Sequence, residues 1–183
     1  MARAKVILVD ADVISHFIAT GHIYELNEIL SPHQLYVVDN VYREATRHPS
    51  DDRRKEKVDE WLFKSKACRV SFPSLNLNVK KEFFRLKHEN HLLGDGECAC
   101  MAMARFGREV IASSNFRDVA PYCDANDIEY IGVMDILLIA MNKGYWDATQ
   151  CNEFMMDALK ENNARFPKSR IEDYKTDKDL REF

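Results

Sequence analysis

Short runs of aliphatic and β-branched residues, each stopping abruptly and followed by apolar residues at helical spacing, constrain this chain more than any other feature. Val6-Ile7-Leu8-Val9 stops at Asp10, and Val13, Ile14, Phe17 and Ile18 then recur on one helical face. Leu35-Tyr36-Val37-Val38 likewise precedes Asp39-Asn40, which reads as the cap of a helix through Val41, Tyr42 and Ala45. Residues 68–72, closed by Pro73, read as a third strand, residues 110–113 as a fourth and 129–131 as a fifth. Helices are expected over 23–30, 51–66, 80–91, 97–104, 115–124, 133–142 and 151–162. Strands that alternate with helices are joined by crossovers, which makes the sheet parallel and covers both of its faces. The fold class is therefore α/β, a three-layer sandwich around a central parallel sheet of about five strands.

With 183 residues the chain has room for one domain with a sizeable core, and 46% hydrophobic against 31% charged residues excludes disorder. Lys and Arg total 26 against 30 Asp and Glu, a formal net charge of -4, so attraction to nucleic acid is not a property of the whole molecule. A polyanionic substrate would need a local basic patch or bound cations. Five cysteines are an odd number, and the hydrophobic run after Met1-Ala2-Arg3-Ala4-Lys5 is too short for a signal peptide, so a reducing cytoplasm is expected. No apolar stretch is long enough to suggest a membrane span, since Asp135 interrupts even residues 131–141. Residues 168–183 are dense in charge and are expected to pack loosely.

Ligands of open parallel sheets bind beyond the carboxyl ends of the strands, where strand order reverses. Asp10 ends the first strand and Glu44 lies in the helix after the second. Asp95 and Glu97 open a helix of Ala, Cys and Met that must be buried, and Asn115 and Asp118 follow the fourth strand. Carboxylates that crowd together are costly unless cations neutralise them, and a set of acids without His or Cys points to Mg²⁺ or Mn²⁺. Such ions orient a water, help deprotonate it and stabilise charge on a scissile phosphate, so phosphodiester hydrolysis is the chemistry that follows. Cys98 and Cys100 have no second pair at zinc spacing, and His88 and His91 read as structural. Nucleophile-elbow, P-loop and dinucleotide glycine motifs are absent.

Taken in order, these segments resemble the PIN domains, a family that includes VapC-like toxins and other metal-dependent ribonucleases. Residues 6–14 are similar to the family's opening strand with its first metal-binding aspartate, here Asp10, and residues 37–45 to its second motif, with the glutamate at Glu44. Leu93-Gly94-Asp95-Gly96-Glu97-Cys98-Ala99-Cys100 resembles the GEA-type third motif, which puts the acid at Glu97 and leaves Asp95 as a nearby metal neighbour or an N-cap. Residues 111–118 resemble the fourth motif, but Asn115 stands where a fourth acid often sits, so either Asn115 orients a water or Asp118 substitutes. Residues 131–144 look like the closing strand and helix of the same branch.

The resemblance implies the strand order 3-2-1-4-5 and a metal-dependent endoribonuclease, with Asp10, Glu44, Glu97 and Asp95 around the metal and Asn115 and Asp118 completing the catalytic set. It further implies an RNA substrate and 5′-phosphate products, and a cytoplasmic toxin restrained by a small antitoxin protein. Residues 1–146 would be the PIN-like catalytic domain, and 147–183 a helical extension packed on it that serves a homodimer or another partner.

Two other readings remain. Asp10-Ala11-Asp12 after a strand also resembles the first motif of haloacid-dehalogenase-like phosphatases, with Asp10 as nucleophile and Asp12 as acid/base. A PIN-like fold without catalysis would be a binding or scaffolding module. Among plainer roles, Asp12 reads as a helix cap, Asp118 as a surface acid, Ser113 and Ser114 as partners for backbone groups, and residues 47–57 as a solvated helix face.

Overall fold

The computed structural model describes residues 4–47 and 51–183. Residues 1–3 and 48–50, parts of the opening segment and of the basic segment read from the sequence, lie outside the described residues.

Five strands form one sheet, β1 (Val6–Val9), β2 (Gln34–Val38), β3 (Cys68–Val70), β4 (Val110–Ala112) and β5 (Tyr130–Ile131), in the order β3-β2-β1-β4-β5 with every pair parallel. This is the order that the family resemblance implied. Ile7, Leu8 and Val9 of the central strand are completely buried, as a strand covered on both faces must be. The helices are α1 (Ala11–Ala19), α2 (Ile23–Ile29), α3 (Asp39–Ala45), α4 (Arg54–Lys64), α5 (Leu77–Glu89), α6 (Asp95–Gly107), α7 (Phe116–Ala125), α8 (Val133–Asn142) and α9 (Ala148–Asn162). Phe17 of α1 meets Phe154 of α9 with ring centroids 4.7 Å apart. Aromatic pairs at this separation add to the hydrophobic gain of burying both rings. Among the described residues no helix is long and apolar enough to cross a membrane.

Local chemistry moves several boundaries from where periodicity places them. α5 begins at Leu77 because the Asn76 side chain accepts from the backbone N–H groups of Asn78 and Val79, a cap that precedes the first apolar residue of the period. α6 begins at Asp95 because Glu97, at its third position, returns a hydrogen bond to the Gly94 N–H at 2.9 Å. Asp39 does not cap α3; it is the first helical residue, and its carboxylate pairs with Arg69 of β3 at 2.7 Å.

The expectation of a loose carboxyl-terminal stretch is overturned. Two 3₁₀ turns, Ile171–Asp173 and Leu180–Glu182, hold a strap against the domain, with Ile171, Leu180 and Phe183 all buried. The strap is latched at Asp135 of α8, which is fully buried and accepts hydrogen bonds from the Tyr174 hydroxyl at 2.8 Å and the Lys178 ammonium at 2.9 Å. Dense charge conceals this packing because its apolar anchors follow no helical or strand period. All five cysteines are free thiols; Cys68 is exposed, and the other four are buried. Burial pushes the thiols of Cys98, Cys123 and Cys151 up to about 12.

Candidate active site

The strand β1 ends at the centre of the sheet, and the next residue, Asp10, becomes the N-cap of α1. Its Oδ1 accepts from the Ala11 N–H at 2.7 Å and its Oδ2 from the Ser113 hydroxyl at 3.0 Å. The second contact follows from register: Val9 lies beside Ala112, so the residues that follow β1 and β4 emerge side by side. Ser113 in turn accepts from the Asn115 N–H at 3.1 Å, which fixes the turn into α7.

Glu97 reaches the same place from the first turn of α6. While its Oε2 closes the capping box, its Oε1 accepts from Asn115 Nδ2 at 2.7 Å. Asn115 Nδ2 also donates to Asp118 Oδ2 at 3.1 Å, and the other Asp118 oxygen accepts from Asn90 Nδ2 at 3.1 Å. Glu44 arrives from α3, where its Oε1 accepts from the Gly96 N–H at 3.0 Å. A Cβ on residue 96 would stand 2.5 Å from Glu44 Oε2 and 3.1 Å from Val41 Cγ2, so any side chain there displaces the Glu44 carboxylate.

The structure thus brings Asp10, Glu97, Asn115 and Asp118 into one connected group, with Glu44 joined to it through the backbone of α6. Asp95 points elsewhere: its carboxylate pairs with Lys87 of α5 at 2.9 Å, and it is neither the N-cap nor hydrogen-bonded to the other acids. His88 lies on α5 but His91 falls beyond its end. Of residues 47–57, Arg53 pairs with Glu56, Lys57 with Asp51, and buried Arg54 donates to Ser15 Oγ and the Ala45 carbonyl; these are structural uses.

Two residues to which the sequence gives plainer roles contribute here. Asp12 does not cap α1, a role that Asp10 takes; it sits in the first turn, where its charge bears on both Asp10 and Glu97. Ser113 contacts a carboxylate rather than only backbone. An acid two residues after Asp10 was the available signal for Asp12. The pairing of Asp10 with Ser113 needs the β1–β4 register, which no local pattern carries.

Electrostatically the group is under-neutralised. Burial, then the charges of Glu97 and Asp12, hold the Asp10 carboxyl well above the usual carboxylate range, against the opposing hydrogen bonds from Ala11 and Ser113. Burial also raises Glu97, with smaller contributions from Asp12 and Asp118. Among the described residues no three His, Cys, Asp or Glu side chains stand in a closed ligand arrangement. The donor set nevertheless fits a hard divalent cation: the donors are oxygens, a cation would offset the burial and the neighbouring charges that raise Asp10, and Mg²⁺ takes one or two carboxylates while keeping several waters.

A family described as DUF3368, a PIN domain, matches residues 6–177. The chain belongs to the PIN-domain family. No curated protein matches it. PIN domains are generally nucleases that bind nucleic acid and typically use divalent metals, and in this PIN domain Asp10 and Asn115 follow the carboxyl ends of β1 and β4. Membership in the PIN-domain family also removes the ground for the phosphatase reading of Asp10 and Asp12.

Proposed function

We propose that this PIN domain is a metal-dependent endoribonuclease in which Asp10, Glu44 and Glu97 hold Mg²⁺ or Mn²⁺ and Asn115 and Asp118 complete the site. The observation that carries the reading is the buried Asp10 carboxylate, held in the field of Glu97 and Asp12 with only hydrogen bonds to offset it. A structural role alone gives no reason to keep two such carboxylates close together in a desolvated place.

A bound divalent cation would supply neutralisation at the scissile phosphate and a more acidic water. The chain's own groups do the positioning. Ser113 and the Ala11 N–H fix both oxygens of Asp10. The α6 capping box fixes Glu97, and the Gly96 N–H fixes Glu44. Asn115, whose Nδ2 donates to Glu97 and Asp118, keeps its Oδ1 to accept a hydrogen bond from the attacking water. Asp95, paired with Lys87, stands apart from this hydrogen-bonded group. The reading extends to a cytoplasmic toxin restrained by a small antitoxin segment lying over the acids, and to a homodimer. Co-purification and solution mass test both extensions.

The central test is cleavage of mixed single-stranded RNA in Mn²⁺, in Mg²⁺ and in EDTA, by the wild-type chain and by Asp10→Asn and Glu97→Gln. Metal-dependent cleavage that both substitutions abolish in folded protein is the expected result. No cleavage together with no Mn²⁺ binding by calorimetry would leave a binding or scaffolding module.

A further inference from the structure

Between the carboxyl-terminal strap and the start of α7 lies a groove of about 670 Å³ whose inner end is Ser114 and Asn115, the latter hydrogen-bonded to Glu97. Its walls carry four cations, Arg117, Arg165, Lys175 and Lys178, against one carboxylate, Asp177. Lys178 is committed to Asp135, with its ammonium 4.9 Å from the Phe116 ring centre and 4.5 Å from that of Tyr130. Arg117, Arg165 and Lys175 are different: all three are exposed, and none has a hydrogen-bond or ion-pair partner among the described residues. Some other surface cations, such as Lys57, Lys64, Arg85 and Arg170, are tied to carboxylates, while others, Arg43 and Lys80 among them, are not tied to any among the described residues. Three unengaged cations in one groove of a chain with net charge -4 form a local basic patch.

Aromatic residues accompany the charge. Phe166 and Tyr174 line the groove and are half-buried, with Pro167 exposed beside them. Cations along a groove with ring faces between them are what an unpaired nucleotide strand requires, because phosphates take the charges and bases stack on the rings. The groove also holds a polar atom without a partner, since the Ser114 hydroxyl at its inner end makes no hydrogen bond among the described residues.

We infer that this groove, built by the strap, seats the unpaired nucleotides adjoining the phosphate to be cleaved. Arg117, Arg165 and Lys175 bind the backbone, and the Phe166 face receives a base. Asn115 belongs both to the acid group and to the groove lining, so a strand placed on the acids passes directly into the groove. The inference rests on the nuclease reading for what happens to the strand, but not for its binding. The other flank, beyond β2 and β3, has similar chemistry on a smaller scale: Arg43 and Lys80 face Phe72, Phe83 and Phe84 in a groove of about 420 Å³. The strap groove alone adjoins Asn115.

The test is fluorescence anisotropy of a labelled mixed-sequence single-stranded oligoribonucleotide with the full chain in EDTA, followed by cleavage kinetics in Mn²⁺. The variants are Arg165→Ala with Lys175→Ala, Phe166→Leu, and Lys64→Ala on α4 as a distant control. Loss of two phosphate contacts should weaken binding about tenfold and make the dependence of log K on log salt shallower by about 1.4. Phe166→Leu, which keeps apolar volume but removes the ring, should weaken binding about tenfold and leave the salt dependence in place. Lys64→Ala should bind as wild type, and melting temperatures show that each variant is folded.

Unchanged binding in the double variant overturns the inference, as does absence of binding by the wild type or equal affinity for an RNA duplex. Equally effective competition by poly-glutamate would also overturn it, assigning the groove to an acidic protein partner. Cleavage with KM unchanged in the double variant refutes the groove and leaves the nuclease reading standing. Groove-dependent binding without cleavage in Mn²⁺ does the reverse.

Discussion

Replacing Asp135 with alanine should release the strap while leaving the sheet intact. Asp135 is completely buried and accepts three hydrogen bonds, from the Gly132 N–H at 2.9 Å, the Tyr174 hydroxyl at 2.8 Å and the Lys178 ammonium at 2.9 Å. Hydrogen bonds to a charged group are each worth about 1.5–3 kcal/mol, so a simple sum is about 4.5–9 kcal/mol. That sum is too large. The Lys178 side chain is 21% exposed and Tyr174 is half-buried, so both regain water when the strap loosens. The loss should therefore be about 3–5 kcal/mol, the range for removing one partner of a buried pair. At about 2–4 °C per kcal/mol for a chain of this size, the midpoint of thermal unfolding falls by about 10 °C. Urea denaturation of Asp135→Ala, Lys178→Met and the double variant measures the coupling directly, with an expected interaction of about 1–2 kcal/mol. A loss below about 1 kcal/mol for Asp135→Ala, or single effects that add within about 0.5 kcal/mol, would refute the latch.

Saturating Mn²⁺, at about 100 times its dissociation constant, should stabilise the wild-type chain by about 2.7 kcal/mol, and Asp10→Asn should abolish that gain in a thermal shift measurement. Gly96→Ala places a methyl 2.5 Å from Glu44 Oε2, so RNA cleavage should fall about tenfold or more, the scale of a misplaced catalytic group, in a protein whose circular dichroism is unchanged. Glu82 of α5 is gripped by Arg85 and Arg105 and by the Tyr122 hydroxyl, which together hold its carboxyl down to about 2. Because its folded value lies below the unfolded one, its contribution is fully present above about pH 4.5 and disappears as pH falls through about 2. Glu82→Gln should destabilise the protein at neutral pH and flatten that acid limb in urea titrations from pH 7 to 2.

The central strands are legible in the sequence because a strand buried on both faces is apolar without interruption, as Ile7, Leu8 and Val9 are. Asp10 and Glu97 are legible for the complementary reason that an acid beside such a run needs an explanation. What the sequence conceals is set by distance along the chain. Ser113 meets Asp10 across 103 positions, through the register of two strands. Asp95 looks like its neighbour Glu97 until the helix places it within reach of Lys87. The start of α5 is hidden because Leu77 is exposed and adds nothing to the apolar period, so only the Asn76 cap marks it. The strap is hidden most deeply, since Ile171, Leu180 and Phe183 are anchors without a repeat.

The thiols give the molecule a built-in chemical handle. Four are out of reach and held as protonated thiols by their surroundings, which leaves Cys68 as the single accessible one among five. It lies on the edge strand next to Arg69, which reaches across to Asp39 at the rim of the smaller basic groove. A maleimide dye on the natural sequence will therefore attach at one known position, on the opposite flank of the acids from the strap. Its emission can report when a strand long enough to cross the whole sheet edge has arrived, with no cysteine added or removed.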